Sequence, residues 1–259
     1  MAMMLRRLAI RSSTITSLSS YSLEKSFLLD PMLYVPSRSF LDLYKIGSKE
    51  AIEKEKARLS DELSRGYFAD ISEIRKTGGK VALANKTIIP SVVAVKFPDL
   101  DANFPDNRRL KLPVTSTENV TDASEVPTPC ASLLCLSFRA SSQRMAESWS
   151  LPFLDSFSAD RKVQIYEVSF IDSWLLSLGP VRHIFLKMMN KSSNPQRHIV
   201  YAFGDHYDFR KKLHILNLLT GYIFLLDRLG RIRWQGFGYA TQEELSALLS
   251  CTALLLDEK

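Results

Sequence analysis

The stretch YIFLLDRLGRIRWQGFGYATQEELSALLSCTALL (222–255) decides the fold. Residues 222–227 are apolar on both parities as far as Asp227, the pattern of a strand lying inside a sheet. Arg228-Leu229-Gly230 follows, and Gly230 suits the left-handed backbone position that closes a short hairpin loop. In 231–236 the side chains alternate. Ile232 and Trp234 share one face and Arg231, Arg233 and Gln235 the other, which predicts a half-exposed strand near the sheet edge. Thr241 stands three residues before Glu244, the spacing of a capping box, and predicts a closing helix over 241–256.

Upstream of that hairpin, strand and helix patterns alternate. CASLLCLSF (130–138) is an almost unbroken apolar run, as expected of a strand buried on both faces. Met145, Trp149, Phe153, Leu154 and Phe157 recur at helical spacing within 141–157. VQIYEVSF (163–170) reads as a second strand and RHIVYAF (197–203) as a third. Residues 172–189 read as helical with an interruption at Gly179-Pro180, so that Pro180 opens a second helical piece. A short basic helix is expected around 208–214. The order strand, helix, strand, further helix, hairpin and helix predicts an α/β, thioredoxin-like domain over 130–259.

The chain before that domain divides into three parts. Residues 1–40 carry five basic and two acidic residues, with no acid before Glu24 and a serine-rich middle. That composition fits a mitochondrial transit peptide, and a chloroplast address or a simple tail shares it. Arg38 followed by Ser39, Phe40 and Leu41 resembles the arginine-at-minus-three cleavage site of mitochondrial presequences. In 41–90 the segment SKEAIEKEKARLSDELSR (48–65) predicts a charged helix with a thin apolar stripe, which either docks lightly or meets a partner. A second short helix is expected before Gly78-Gly79. Residues 91–129 are read as a β-hairpin, SVVAVKFP (91–98) against RRLKLP (108–113) with a turn at Asp106-Asn107, and then a polar linker over 115–129.

Composition narrows the function classes. The 259 residues are 46% hydrophobic and 24% charged, enough apolar content for a sizeable core. No apolar run approaches the ~20 residues of a membrane-spanning helix, although the protein is free to lie against a bilayer. The net charge of +6 invites a nucleic-acid reading, but beyond residue 40 it falls to 29 basic against 26 acidic residues, an ordinary surface balance.

The chemistry expected of a thioredoxin-like enzyme is missing. Such an enzyme keeps its reactive cysteine at the start of the helix after the first core strand, where the helix dipole lowers the thiol pKa. Here that position reads Arg139-Ala140-Ser141-Ser142-Gln143-Arg144, without a cysteine. The loop before the hairpin, where redox members keep a cis-proline, reads Leu219-Thr220-Gly221. Of the three cysteines, Cys130 and Cys135 lie in one strand on opposite faces and cannot pair with each other. All three, Cys130, Cys135 and Cys251, are read as buried small hydrophobes. The four histidines have no compact metal-ligand spacing, and no phosphate-binding glycine loop occurs. Arg231, Arg233, Trp234 and Tyr239 form an arginine–aromatic surface candidate that suits either stacked RNA bases or a protein contact.

GYIFLLDRLGRIRWQGFGYATQEELSALL (221–249), SFRASSQRMAESWSLPF (137–153), RGYFADISEIRKTGGK (65–80) and the basic N-terminal segment together resemble the family of mitochondrial ATP synthase assembly factors numbered ten, in its plant-like version. The resemblance covers residues 40–259 and is most specific in the IRWQGFGYAT run. It implies a redox-inactive thioredoxin-like chaperone without a catalytic centre, cofactor or metal. Such a chaperone sits peripherally on the matrix side of the inner membrane. Its implied partners are the newly made proton-channel subunit a and, through it, the c-ring, with no nucleic acid. The candidate contact residues on that reading are Arg139, Arg231, Arg233, Trp234 and Tyr239, with Arg38 and Phe40 at the cleavage site. The competing classes are a thioredoxin- or peroxiredoxin-like redox protein and a matrix RNA-binding protein.

Overall fold

The computed structural model describes residues 67–77, 80–115, 128–172, 179–189, 192 and 194–258, together with Glu53, Lys56, Ala57 and Ser60, which are helical. The segment read as a presequence, with Arg38 and Phe40, the rest of the segment 48–65 read as a charged helix, and most of the polar linker lie outside the described residues.

A seven-stranded sheet organises the chain, in the order β2-β1-β5-β4-β3-β6-β7. The strands are β1 (Leu100–Asn103), β2 (Arg109–Leu112), β3 (Ala131–Ser137), β4 (Val163–Ile171), β5 (Arg197–Phe203), β6 (Tyr222–Asp227) and β7 (Ile232–Phe237). Five helices are described: α1 (Tyr67–Thr77), α2 (Ala140–Phe157), α3 (Gly179–Met188), α4 (Tyr207–Lys212) and α5 (Gln242–Asp257). β3, α2 and β4 form a parallel strand–helix–strand unit. β6 pairs antiparallel with both β3 and β7, and α5 closes the chain. The resulting order β4-β3-β6-β7 with a helix after β3 and another after β7 is the thioredoxin-like fold. Inserted between β4 and β6, the segment α3-β5-α4 adds a third parallel strand, and the β1–β2 hairpin extends the sheet beyond it.

Side-chain alternation gives the sheet two apolar faces. On one, Leu134, Val168 and Phe224 meet Phe97, Leu112 and Phe209 of α4. On the other, Leu133, Ile165 and Leu225 are covered by Trp149 and Phe153 of α2 and by Leu248 and Leu255 of α5. Each large apolar side chain buried in this way contributes about 1.5–3 kcal/mol. The capping box at α5 forms as its spacing predicts: Thr241 Oγ1 accepts the Glu244 N–H at 3.3 Å, and Glu244 Oε2 accepts the Thr241 N–H at 3.2 Å. Gly230 adopts φ +74, and Pro180 stands in the first turn of α3.

Two expectations from the sequence need correction. The hairpin partner of β2 is Leu100–Asn103, not 91–98. Pro90 starts a turn in which its carbonyl accepts the N–H groups of Val93 and Ala94, both at 3.1 Å, so the valine run never becomes a strand. The true strand reads LDAN and lacks the apolar run that would announce it.

The second correction concerns β7. Leu225 pairs with Trp234 while Leu226 pairs with Ile232, so one extra residue, Arg233, is accommodated on β7. Such a bulge shifts the parity. Ile232 therefore enters one core cluster and Trp234 the other, although their spacing predicts a shared face. Nor is β7 an open edge. Residues 85–97 run along it: the Asn85 and Ile89 N–H groups donate to Gln235 and Arg233 carbonyls at 2.9 and 2.7 Å, and the Ile232 N–H donates to Val95 at 2.8 Å.

Two stability effects follow. A Cβ on Gly236 would stand 2.6 Å from Trp234 and 3.1 Å from Trp149, so Gly236→Ala is expected to cost about 1–3 kcal/mol by overpacking. Urea denaturation followed by tryptophan fluorescence reads this directly, and an unchanged midpoint would show that the indoles yield. Glu244 is the second case. Burial acts to raise its carboxyl, but hydrogen bonds from Lys80, the Ala84 N–H and Thr241 outweigh burial and leave its pKa below the ordinary 4.5. Its stabilising contribution is therefore present above that ordinary value and is lost as pH falls through the lower folded one. The Tm gap between the wild type and Glu244→Gln should be widest near neutral pH and close in acid.

Candidate functional site

The C-terminal end of β3 leads through Phe138 and Arg139 into α2, the place where a thioredoxin-like enzyme holds its reactive thiol. Ser142 occupies that turn and is fully buried. Its Oγ accepts the N–H groups of Phe138 and Arg139, each at 3.2 Å, and donates to the Arg139 carbonyl at 2.8 Å. Oxygen capacity that could have served a reaction is used to tie the backbone of the turn. The loop across from it is equally closed. Ser141 Oγ donates to the Leu219 carbonyl at 3.4 Å, and the Gly221 N–H lies 3.4 Å from Met145 Sδ. Any Cβ on Gly221 would meet Met145 Cβ at 3.0 Å and the Ser142 carbonyl at 3.2 Å, so the loop sits too close to α2 for a larger residue.

Neither buried thiol supplies a replacement nucleophile. Burial, reinforced by the Glu167 charge, pushes the Cys135 thiol well above its usual range, and burial also raises Cys251. His198 is held within the sheet. His198 bonds Gln164 at 2.8 Å and stacks on Tyr166, and burial lowers its pKa; burial lowers that of His206 as well. Among the described residues, no three His, Cys, Asp or Glu side chains gather as metal ligands.

Arg139 itself faces outward, with Nη1 3.7 Å from Asp172 Oδ2, on the wall of an open groove of about 950 Å³. Phe185, Met188 and Met189 form one side of the groove, and Ile199 and Tyr201 of β5 line it as well. Arg197 on that wall makes a two-pronged ion pair with buried Glu167 at 2.7 and 2.8 Å, and Ser150 of α2 donates to the same carboxylate at 2.5 Å. Sequence reading missed this network. A lone glutamate within the apolar run VQIYEVSF was the signal that could have found it, because a buried carboxylate requires a cation or hydrogen-bond donors.

The five candidate contact residues separate. Arg139 lies at the start of α2. Tyr239 is exposed at the same end of the sheet, because the Gly238 carbonyl accepts Trp149 Nε1 at 2.7 Å and the Ala240 N–H reaches Ser148 at 3.0 Å. Arg231 lies at the opposite end, half-buried, bonded to Asp227 at 2.8 Å and to the Ser91 carbonyl at 3.1 Å. Arg233 and Trp234, expected on an exposed face, are interior. Arg233 is 1% exposed and donates to the Ile89 carbonyl and to both oxygens of Glu258 at 2.6–2.7 Å. Trp234 is fully buried against Trp149, with ring centroids 5.5 Å apart and its Nε1 on the Asn85 carbonyl at 2.6 Å. The bulge and the covering segment 85–97 are the cause.

These features define a thioredoxin-like domain whose redox position holds an outward arginine above a self-bonded serine turn. Residues 21–255 match the ATP10 protein family, and the chain belongs to that family. It is 26% identical over 220 residues to the mitochondrial ATPase complex subunit ATP10 of Eremothecium gossypii, covering 84% of this chain and 77% of that one. The protein of the same name from Saccharomyces cerevisiae is 24% identical over 236 residues, covering 83% and 78%. Among solved structures, a thiol:disulfide interchange protein DsbE from Chlorobium tepidum superposes with a TM-score of 0.41 at 15% identity, over 63% of this chain and 96% of that one.

The cysteines offer a direct check on this site. Cys130, expected to be buried, is partly exposed because it stands just before the first residue of β3, whereas Cys135 and Cys251 are buried. A thiol reagent applied to the folded protein should modify Cys130 first and reach the other two only after denaturant is added. Rapid labelling of Cys135 in the native state would show that β3 opens.

Proposed function

We propose that this protein is an assembly factor for the mitochondrial ATP synthase that binds newly made subunit a and promotes its joining to the c-ring. It does so from the matrix side of the inner membrane, as a peripheral protein without enzymatic activity. Membership of a family whose relatives are named mitochondrial ATPase complex subunits supports the complex. The observation that carries the mode of action is the redox position: Arg139 and the closed Ser142 turn stand where a thiol would have to be.

A domain without a thiol at its redox position is proposed to act through its surface. Arg139, half-buried, and Tyr239, exposed, are the two candidate residues at the vacated end, and they are the proposed client contact. Arg231 is the third accessible candidate, at the far end. Arg233 and Trp234 act by holding the domain together. Among the described residues no helix is long and apolar enough to cross a membrane, and the proposed attachment is to a membrane surface.

Crosslinking and affinity capture during organelle translation test this reading. Recovery of newly made subunit a is expected, and it should fall several-fold in Arg139→Glu and Tyr239→Ala with the folded fraction unchanged. Arg233→Glu should instead lower stability outright, because it places a carboxylate against Glu258 and Asp227. Recovery of RNA, or of another complex without subunit a, would remove the assembly reading.

A further inference from the structure

The segment covering the β7 edge does not follow the strand throughout. Ile89 is pinned to Arg233 at 2.7 Å and Val95 to Ile232 at 2.8 Å, while the five residues between them leave the sheet as a turn closed on the Pro90 carbonyl. Arg231 Nη1 holds the base of that turn through the Ser91 carbonyl at 3.1 Å. At its tip Val92 is 94% exposed and Val93 66%, and neighbouring Val95 is 71% exposed. Three aliphatic side chains on a braced, convex projection are costly to leave in water, and a few-residue turn offers no concavity to receive a helix.

Basic side chains stand near the projection. Lys86 and Lys96 flank it in the chain, and Arg228 stands in the adjacent β6–β7 turn; all three are exposed. Of the nearby acids, Asp227 pairs with Arg231 and Arg233, Glu258 with Arg233 and Asp99 with Lys111, while Asp257 at the end of α5 is exposed. Apolar side chains at a tip with cations around its base match the layered chemistry of an anionic membrane surface, hydrocarbon beneath phosphate. The β-branched valines are stiff and lose little rotamer freedom on insertion.

We propose that the loop 90–94 is the point at which this protein docks on an anionic lipid surface, its valines entering the interface and Lys86, Lys96 and Arg228 meeting lipid phosphates. The inference deepens the membrane-surface part of the proposed function and rests on it. It also sets an orientation. The loop lies toward the end of β7 opposite Arg139 and Tyr239, on the order of 20 Å away along six-residue strands, so a docked molecule presents its vacated redox end away from the lipid.

Co-sedimentation of the full chain with phosphatidylcholine vesicles, with and without phosphatidylglycerol, tests the loop. Comparing variants of one full chain makes the basic segment 1–40 contribute equally to each. The wild type should bind the anionic vesicles, and less so in high salt. The double variant Val92→Asp, Val93→Asp should lose about tenfold in partitioning, and Lys96→Glu about fivefold, with thermal melting unchanged because these side chains make no core contacts. Equal binding by the wild type and the double variant would overturn the loop assignment. Absence of wild-type binding to anionic vesicles would overturn the lipid surface itself. If the double variant keeps vesicle binding but loses capture of newly made subunit a, the loop is a protein contact and the proposal fails. Failure of the wild type to capture subunit a would sink the assembly reading while leaving the vesicle comparison intact.

Discussion

Arg233, buried at the bulge between β6 and β7, is where four separate parts of the chain meet. Its guanidinium bonds the Ile89 carbonyl of the edge-covering segment and both carboxylate oxygens of Glu258 beyond α5, with Asp227 of the hairpin turn 3.6 Å away. A charge so deeply buried is tolerated only when its donors are satisfied, and this one is supplied from three directions. The same residue that shifts the parity of β7 therefore ties down the segment closing that edge. With the edge closed, Trp234 is free to pack on Trp149, and α2 is fixed against the sheet through that contact. The position of α2 in turn sets the geometry of the vacated redox end.

At that end no cysteine stands where the fold's redox members hold one. A helix N-terminus lowers the pKa of a thiol placed there. Here a serine hydroxyl takes up two of the backbone N–H groups next to that position and donates to a third backbone group. What remains accessible is an arginine, a tyrosine on the following loop and a methionine-lined groove braced underneath by Glu167 and Arg197. Methionine side chains adapt to irregular apolar partners at low cost, which suits a surface meeting hydrophobic protein better than one shaping a small substrate.

The molecule thereby separates two kinds of surface on one rigid sheet. Arg139 and Tyr239 stand at one end, and the valine loop with its surrounding cations lies toward the other. β6 and β7 connect them directly, so the separation is set by strand length and not by a flexible linker.

The sequence by itself determined the local features: strands from unbroken apolar runs, the α5 capping box, the left-handed turn at Gly230 and the lack of cysteine over 139–144. Those signals lie within a few residues of the structure they specify. The order of the elements was enough to name the fold, and the match of local motifs enough to suggest the family. Only the tertiary structure decided which way β7 faces, because one bulge residue reverses the alternation on which the sequence reading relied. It also decided that Arg233 is interior and the valines of 91–95 exterior, the reverse of what their polarity suggests. Both depend on bonds between residues about 140 positions apart, such as Arg233 with Ile89 at a separation of 144, and no local pattern encodes a partner at that distance.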